Sequence, residues 1–274
     1  MIIKDKYTSL LSYLQNLEKV VVAFSGGVDS TFLLKTAKDA LGDNVKAVTI
    51  RSPYIPKWEI EEAKQIVKEL GVAHEIIEAP IIDGIRKNPE NRCYLCKIAL
   101  FSMIKSVAKN QGYDYIIDGT NFDDLGDYRP GLKALQELNV KSPLLESQLT
   151  KQEIRSLSRE LGLKTWDKPS YACLLTRIPY GNELKVEDLE KIENAEKYMM
   201  DRGFRAVRVR CHGNLARIEV DKKDRSKLFD EKILEEISRK LKGFGFKYVT
   251  LDLEGYRVGS FNEMMSMTPT TTNV

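Results

Sequence analysis

Between Lys19 and about Asp123 short apolar runs alternate with amphipathic stretches. "VVVAF" gives way to a helical pattern from Ser30, "VKAVTI" to one from Trp58, "AHEIIEA" to one from Tyr94, and "YDYIIDG" closes the series. Near-continuous β-branched strands separated by helices predict an α/β fold, a parallel sheet covered by helices on both faces. In open sheets of this kind ligands bind at the carboxyl ends of the strands.

The pattern then changes twice. Residues 123–181 mix short helices with Pro- and Gly-marked loops, and carry a cysteine and several arginines. A long irregular stretch of that composition in a compact protein reads as functional. Beyond Gly181 a helix (186–202), two strands ("FRAVRVRC", "LARIEV"), a helix (222–241) and a strand ("FKYVTLDL") predict a smaller α+β domain. The expected organisation is 1–181 as the α/β domain, including the cysteine-bearing loop, 182–261 as the small domain and 262–274 as a polar, Thr-rich, mobile tail.

Composition narrows the class of partner. The chain has 274 residues, 42% hydrophobic and 30% charged, enough for one large or two ordinary domains. With 43 basic and 40 acidic residues the formal charge is only +3, which argues against a dedicated nucleic-acid binder and leaves anionic partners to local patches. No apolar run approaches the ~18 residues of a membrane span, and the first 19 residues read as an amphipathic helix rather than a leader, so a cytoplasmic location is expected.

The stretch "FSGGVDS" joins the first strand to the first helix of the alternating region. Gly26 and Gly27 let the backbone approach an anion, the amides at the helix start point towards it, and Ser25 and Ser30 add hydroxyl donors. Asp29 beside a phosphate makes sense as a loop cap or as a partner of Mg2+ held between phosphates. A Walker A loop needs Gly-Lys-Ser/Thr and a dinucleotide fingerprint needs Gly-x-Gly-x-x-Gly; neither is present. A bare strand-to-helix turn would explain Gly26 but not the two serines and the aspartate.

This loop resembles the pyrophosphate loop (PP-loop) of the N-type ATP pyrophosphatases, which implies a Rossmann-like sheet and cleavage of ATP to AMP and pyrophosphate. The resemblance also places Arg51 and Ser52, at the end of the second strand, and Gly119 and Thr120, at the end of the fourth, around the adenosine.

"NRCYLCK" sets Cys93 and Cys96 at the start of a helix, and "PSYACLLTRIPYG" sets Cys173 in the long loop. A C-x-x-C pair suits zinc, an iron-sulfur cluster or a dithiol couple. Zinc would need a fourth ligand from Cys211, His74 or His212. Period-two alternation puts Cys211 with Val207 and Val209 on one strand face, as a small core residue. Three thiolates fit a 4Fe-4S cluster with one iron open to bind a further sulfide, and a redox dithiol of Cys93 and Cys96 competes with that reading.

On the opposite strand face Arg208 and Arg210 stand together and can take a phosphate bidentately, with Arg177 and Arg129 as further candidates from loops. By pattern alone they serve equally as a solvated polar face.

Taken in order, "FSGGVDS", "NRCYLCK", "GTNFDDLGDYRPG", "PSYACLLTRIPYG" and "VRVRCHGNLARIEV" resemble the LarE family over nearly the whole chain. That resemblance implies an ATP-dependent sulfur transferase of nickel-pincer nucleotide biosynthesis. It would adenylylate a carboxylate of pyridinium-3,5-biscarboxylic acid mononucleotide, a small-molecule partner, and replace oxygen by sulfur. In one branch the cysteine at the Cys173 position is the sacrificial donor. Members that also carry the C-x-x-C pair resemble a cluster-binding set, so Cys93, Cys96 and Cys173 are expected to hold a 4Fe-4S cluster fed by sulfide or another sulfur donor. Asp29, Arg177 and Cys173 are the expected catalytic residues, ATP and Mg2+ the further cofactors, and a trimer-based homo-oligomer, up to a hexamer, the expected assembly. Asp123 and Asp127 are weaker candidates to orient Mg2+ or Arg129. A tRNA thiolase, an amidating ligase and a nucleotide sensor without chemistry are the competing readings of the same loop.

Overall fold

The computed structural model describes residues 2–126 and 130–257, which divide into two compact units on either side of the Tyr171–Ala172 junction. The cysteine-bearing loop 172–181 therefore groups with the second unit, although the sequence pattern assigns it to the first. Arg129, Asp127 and the 262–274 tail lie outside the described residues.

In the first unit, α1 (Ile3–Leu17), β1 (Val20–Ala23), α2 (Val28–Leu41), β2 (Val45–Arg51), α3 (Lys57–Leu70), β3 (Ala73–Glu78), α4 (Arg92–Asn110) and β4 (Tyr115–Ile117) follow the predicted alternation. Short helices α5 (Gly131–Glu137), α6 (Pro143–Glu146) and α7 (Lys151–Glu160) complete it. The strands form an all-parallel sheet in the order β3-β2-β1-β4, the Rossmann-like arrangement expected.

Successive side chains of β1 point to opposite faces and feed two cores. Val20 and Val22 pack with Leu10, Phe32, Leu33, Ala63 and Ile154 from α1, α2, α3 and α7. Val21 packs with Ile104, Ala108 and Leu135 from α4 and α5. All three valines are fully buried, so burial on both faces explains why the strand reads as a continuous apolar run.

In the second unit, α8 (Val186–Asp201), β5 (Val207–His212), β6 (Leu215–Val220), α9 (Glu231–Gly243) and β7 (Tyr248–Leu251) give the predicted αββαβ order. Strand β6 is central, antiparallel to β5 and parallel to β7. The predicted helix 222–241 is in fact two pieces, a 3-10 segment Lys222–Phe229 and α9, broken where Asp230 caps α9 by accepting from the Lys232 and Ile233 amides.

Candidate active site

The sheet order puts β1 between β2 and β4, so the chain reverses direction of travel across the sheet beside the carboxyl end of β1. That switch point is where an open α/β sheet leaves a crevice. Here the crevice is a cleft of about 620 Å³, within the size range of small-molecule sites.

Its floor is the glycine loop. Gly26 adopts φ +71°, a conformation that favours glycine, and a Cβ there would come within 3.3 Å of Ala63 on α3. Gly27 is the N-cap of α2 and brings no side-chain cap, so the first amides of that helix keep their capacity for an anion. Ser25 Oγ and Ser30 Oγ stand 3.1 Å apart, and Ser30 Oγ donates to Gly27 O at 3.3 Å, which holds the two hydroxyls at the loop mouth. Lys168 donates to Gly26 O at 3.0 Å and pairs with Glu62 at 2.6 Å, tying the loop to α3.

The opposing wall is the end of β4. A Cβ at Gly119 would lie 3.0 Å from Ser30 N, so only glycine permits this strand end to approach the start of α2 so closely. Asp118 accepts from Thr120 Oγ1 and Ser142 Oγ, both at 2.6 Å, and Asn121 Nδ2 donates to Asp29 Oδ1 at 3.4 Å. Lys151, the first residue of α7, forms an ion pair with the other oxygen of Asp29. Lys97 and Phe101 of α4, Arg155 of α7 and Ser170 complete the lining.

Of the residues expected to hold the nucleotide, Ser25, Gly27, Asp29, Ser30, Gly119 and Thr120 line this cleft, and Gly26 shapes it from behind. Arg51 and Ser52 are not among its lining residues. Arg51, at the end of β2, donates to Glu78 at 2.7 Å, and Ser52 is buried with no hydrogen-bond partner on its hydroxyl. An orphaned buried hydroxyl beside a strand end leaves a donor for a ligand. Lys151, Arg155, Asn121 and Asp118 were missed by sequence reasoning. The only signal was the capping box Thr150-x-x-Glu153, which starts α7 and places Lys151 and Arg155 on one helix face.

The carboxylate set suits Mg2+ carried in by phosphates. Mg2+ keeps several waters and takes one or two carboxylates plus phosphate oxygens, and Asp29 at the loop mouth meets that need. Among the described residues no three His, Cys, Asp or Glu side chains group as a metal site. Cys93 is exposed in the first turn of α4, and Cys96 is half-buried with its Sγ 3.4 Å from Tyr54 Oη.

Cys173 belongs to the second unit, where a buried arginine organises its segment. Arg177 is 1% exposed; its Nε and Nη2 donate to the two oxygens of Glu196 at 2.8 and 2.9 Å. Its Nη1 donates to the carbonyls of Ala172 and Cys173 at 2.7 and 3.0 Å. Every guanidinium nitrogen thus meets a protein acceptor, which makes Arg177 a strut for the cysteine segment. Glu196 Oε1 also accepts from Val209 N at 2.9 Å, satisfying an outward amide of the edge strand β5.

Arg208 and Arg210 share a strand face as expected, yet the face is covered rather than solvated, at 5% and 7% exposure. Arg210 makes a bidentate pair with Glu219 at 2.8 and 2.9 Å. Arg208 stacks 5.0 Å from the Tyr256 ring, and burial, with Arg177 adding like charge, holds its guanidinium below the ordinary value. Cys211 is buried in the core, as alternation predicts; burial, aided by the Asp188 charge, pushes its thiol up to about 11. A thiol held protonated in this way is a poor metal ligand.

Comparison with known proteins decides the family. A chain from Lactiplantibacillus plantarum, pyridinium-3,5-bisthiocarboxylic acid mononucleotide synthase, is 38% identical over 95% of this chain and 95% of its own length. The protein belongs to the LarE family. The uncharacterized protein slr1717 of Synechocystis sp. is 42% identical over 96% of this chain and 99% of its own. The NAD synthase family profile matches residues 2–94, which contain the glycine loop. A glutamine-hydrolyzing GMP synthase of Chlamydia caviae is 26% identical over 72% of this chain and 42% of its own length. This LarE-family protein is an ATP-using enzyme of the PP-loop class. Among its described residues no helix is long and apolar enough to cross a membrane.

Proposed function

We propose that the enzyme uses ATP to adenylylate a carboxylate of pyridinium-3,5-biscarboxylic acid mononucleotide and replaces a carboxylate oxygen by sulfur, releasing AMP and pyrophosphate. The carrying observation is the cleft itself: a phosphate cradle at the β1/β4 switch point whose rim residue Ser170 precedes Cys173 by three positions in the chain. A chain spans at most ~3.6 Å per residue, so covalent connection alone keeps the Cys173 backbone within about 11 Å of that rim.

The chemistry divides among the residues in an orderly way. A carboxylate oxygen is a poor leaving group, and transfer of AMP to it turns it into a good one. The α2 amides, Ser25 and Ser30 bind the phosphates, and Asp29 directs Mg2+ to them. Arg177 holds Cys173 in place through the Ala172 and Cys173 carbonyls. When bound by Cys93, Cys96 and Cys173, a 4Fe-4S cluster supplies a transferable sulfide. Sacrifice of the Cys173 sulfur is the second reading. Arg208, Arg210 and Arg129 are kept as substrate-phosphate candidates, and a trimer-based homo-oligomer in the cytoplasm as the working assembly.

Anaerobic purification followed by iron and sulfide counts, an absorption spectrum and intact mass before and after turnover tests this. Cluster absorbance with unchanged protein mass after product formation is the expected result. Loss of the elements of hydrogen sulfide from Cys173 would establish the sacrificial route instead. ATP turnover with no sulfur in the product would overturn the sulfur transferase reading and favour an amidating ligase.

A further inference from the structure

The glycine loop has no lysine, yet a polyphosphate bearing several negative charges needs a cation close to the bonds that break. A lysine does reach the loop, from 122 residues further along the chain. Lys151 Nζ is paired with Asp29 inside the cleft, the two side chains keeping 30% and 22% exposure. Its backbone is tightly mounted. The Lys151 amide donates to Asp123 Oδ2 at 2.8 Å, and Thr150 and Glu153 cap each other at the same helix end. Glu153 is itself held by Lys6 of α1 at 2.8 Å. A flexible four-carbon stem on a rigid mount can change partners without moving the helix.

We propose that Lys151 is a phosphate-binding residue of this enzyme that exchanges partners when nucleotide enters. In the open cleft it neutralises Asp29. When a nucleoside triphosphate arrives with Mg2+, Asp29 turns to the metal and Lys151 to the α- and β-phosphate oxygens, so one ion pair is replaced by two. Asn121, which donates to the other oxygen of Asp29, keeps the carboxylate oriented through the exchange. Lys151 thereby supplies from α7 the charge that a Walker loop carries within itself. The inference rests on the cleft being the ATP site and adds to it a residue and an order of events. It also predicts a competition: Lys151 and Mg2+ bind the same carboxylate, so each weakens the other's hold on it.

The test is calorimetric binding of the non-hydrolysable α,β-methylene-ATP to the full chain across a Mg2+ series, with thermal melting as the fold control. Lys151→Gln is expected to weaken the analogue by about 10- to 100-fold at saturating Mg2+, the loss of charge-assisted hydrogen bonds. The same variant is expected to need less Mg2+ for half-saturation, because Asp29 is released to the metal. Lys151→Arg, which keeps the charge and serves if the glutamine variant melts early, should restore most of the affinity. Unchanged analogue affinity in Lys151→Gln, or a Mg2+ requirement that rises together with the analogue dissociation constant, would overturn the exchange. Failure of the wild-type chain to bind the analogue at all would instead overturn the ATP site on which the proposal stands.

Discussion

Replacing Arg177 by Met would leave the Glu196 carboxylate buried and unpaired, since the two side chains keep only 1% and 5% exposure. Breaking a buried pair in this way costs about 3–5 kcal/mol, so chemical denaturation should show a large loss confined to the second unit. Substituting both partners by apolar residues of similar size should recover much of it. His74 gives a pH-dependent counterpart in the first unit. Thr49 Oγ1 donates to Phe24 O at 2.8 Å, so His74 Nε2, 2.8 Å from that hydroxyl, is the donor to it. Burial first, and the Lys64 charge second, hold the imidazole below its ordinary 6.5. The unfolded chain then binds the proton more readily than the folded one. Stability is complete above 6.5 and is lost as pH falls through that value towards the lower folded one. Thermal melting from about pH 7.5 to about pH 5 should show this slope in the wild type and a smaller one in His74→Gln. At this scale the place of the loop residues at the cleft was legible because two serines and an aspartate beside two glycines at a strand-to-helix junction are more than a bare turn needs. Lys151 was not, because its partner Asp29 is set by tertiary packing and not by spacing.

Helices and strands were more legible than the contacts between them. Strand β1 and its neighbours were announced by β-branched runs that two-faced burial explains, and α4 opens two residues before Tyr94, where its pattern begins. Where the pattern failed, a cap had overridden it: apolar periodicity runs through 222–241, but Asp230 stops the first segment and starts α9. The arginine face was legible only in part. Alternation correctly put Arg208 and Arg210 on one side of β5, but it cannot reveal that Glu219 on β6 pairs with Arg210 and that the Tyr256 ring lies against Arg208. Capping also makes α7 a test of how much the site depends on its mount. Thr150→Ala removes the hydroxyl that accepts from Glu153 N, at a cost of about 1 kcal/mol. It should therefore lower the melting temperature modestly and also raise the KM for ATP, because Lys151 begins at that cap. A matched loss at the other capped helix, Asp230→Ala, should lower stability by a similar amount and leave the KM for ATP unchanged.

The largest-scale consequence concerns which unit holds the cleft and which the Cys173 segment. Every residue lining the cleft, from Ala23 to Ser170, falls within residues 1–171. Both cores built on the parallel sheet also close within that span, the last contributor being Leu163. A unit that buries its own core and completes its own cleft has what independent folding and ligand binding require. The second unit carries the Cys173 segment together with the Arg177–Glu196 strut that shapes it. The fragment 1–171 should accordingly fold cooperatively by circular dichroism and bind α,β-methylene-ATP within a few-fold of the intact chain, while forming no thiocarboxylate. A fragment that folds but binds the analogue far more weakly would mean that residues beyond Tyr171 complete the nucleotide site. Full-length Cys173→Ser should show the complementary behaviour, retaining analogue binding while losing sulfur transfer.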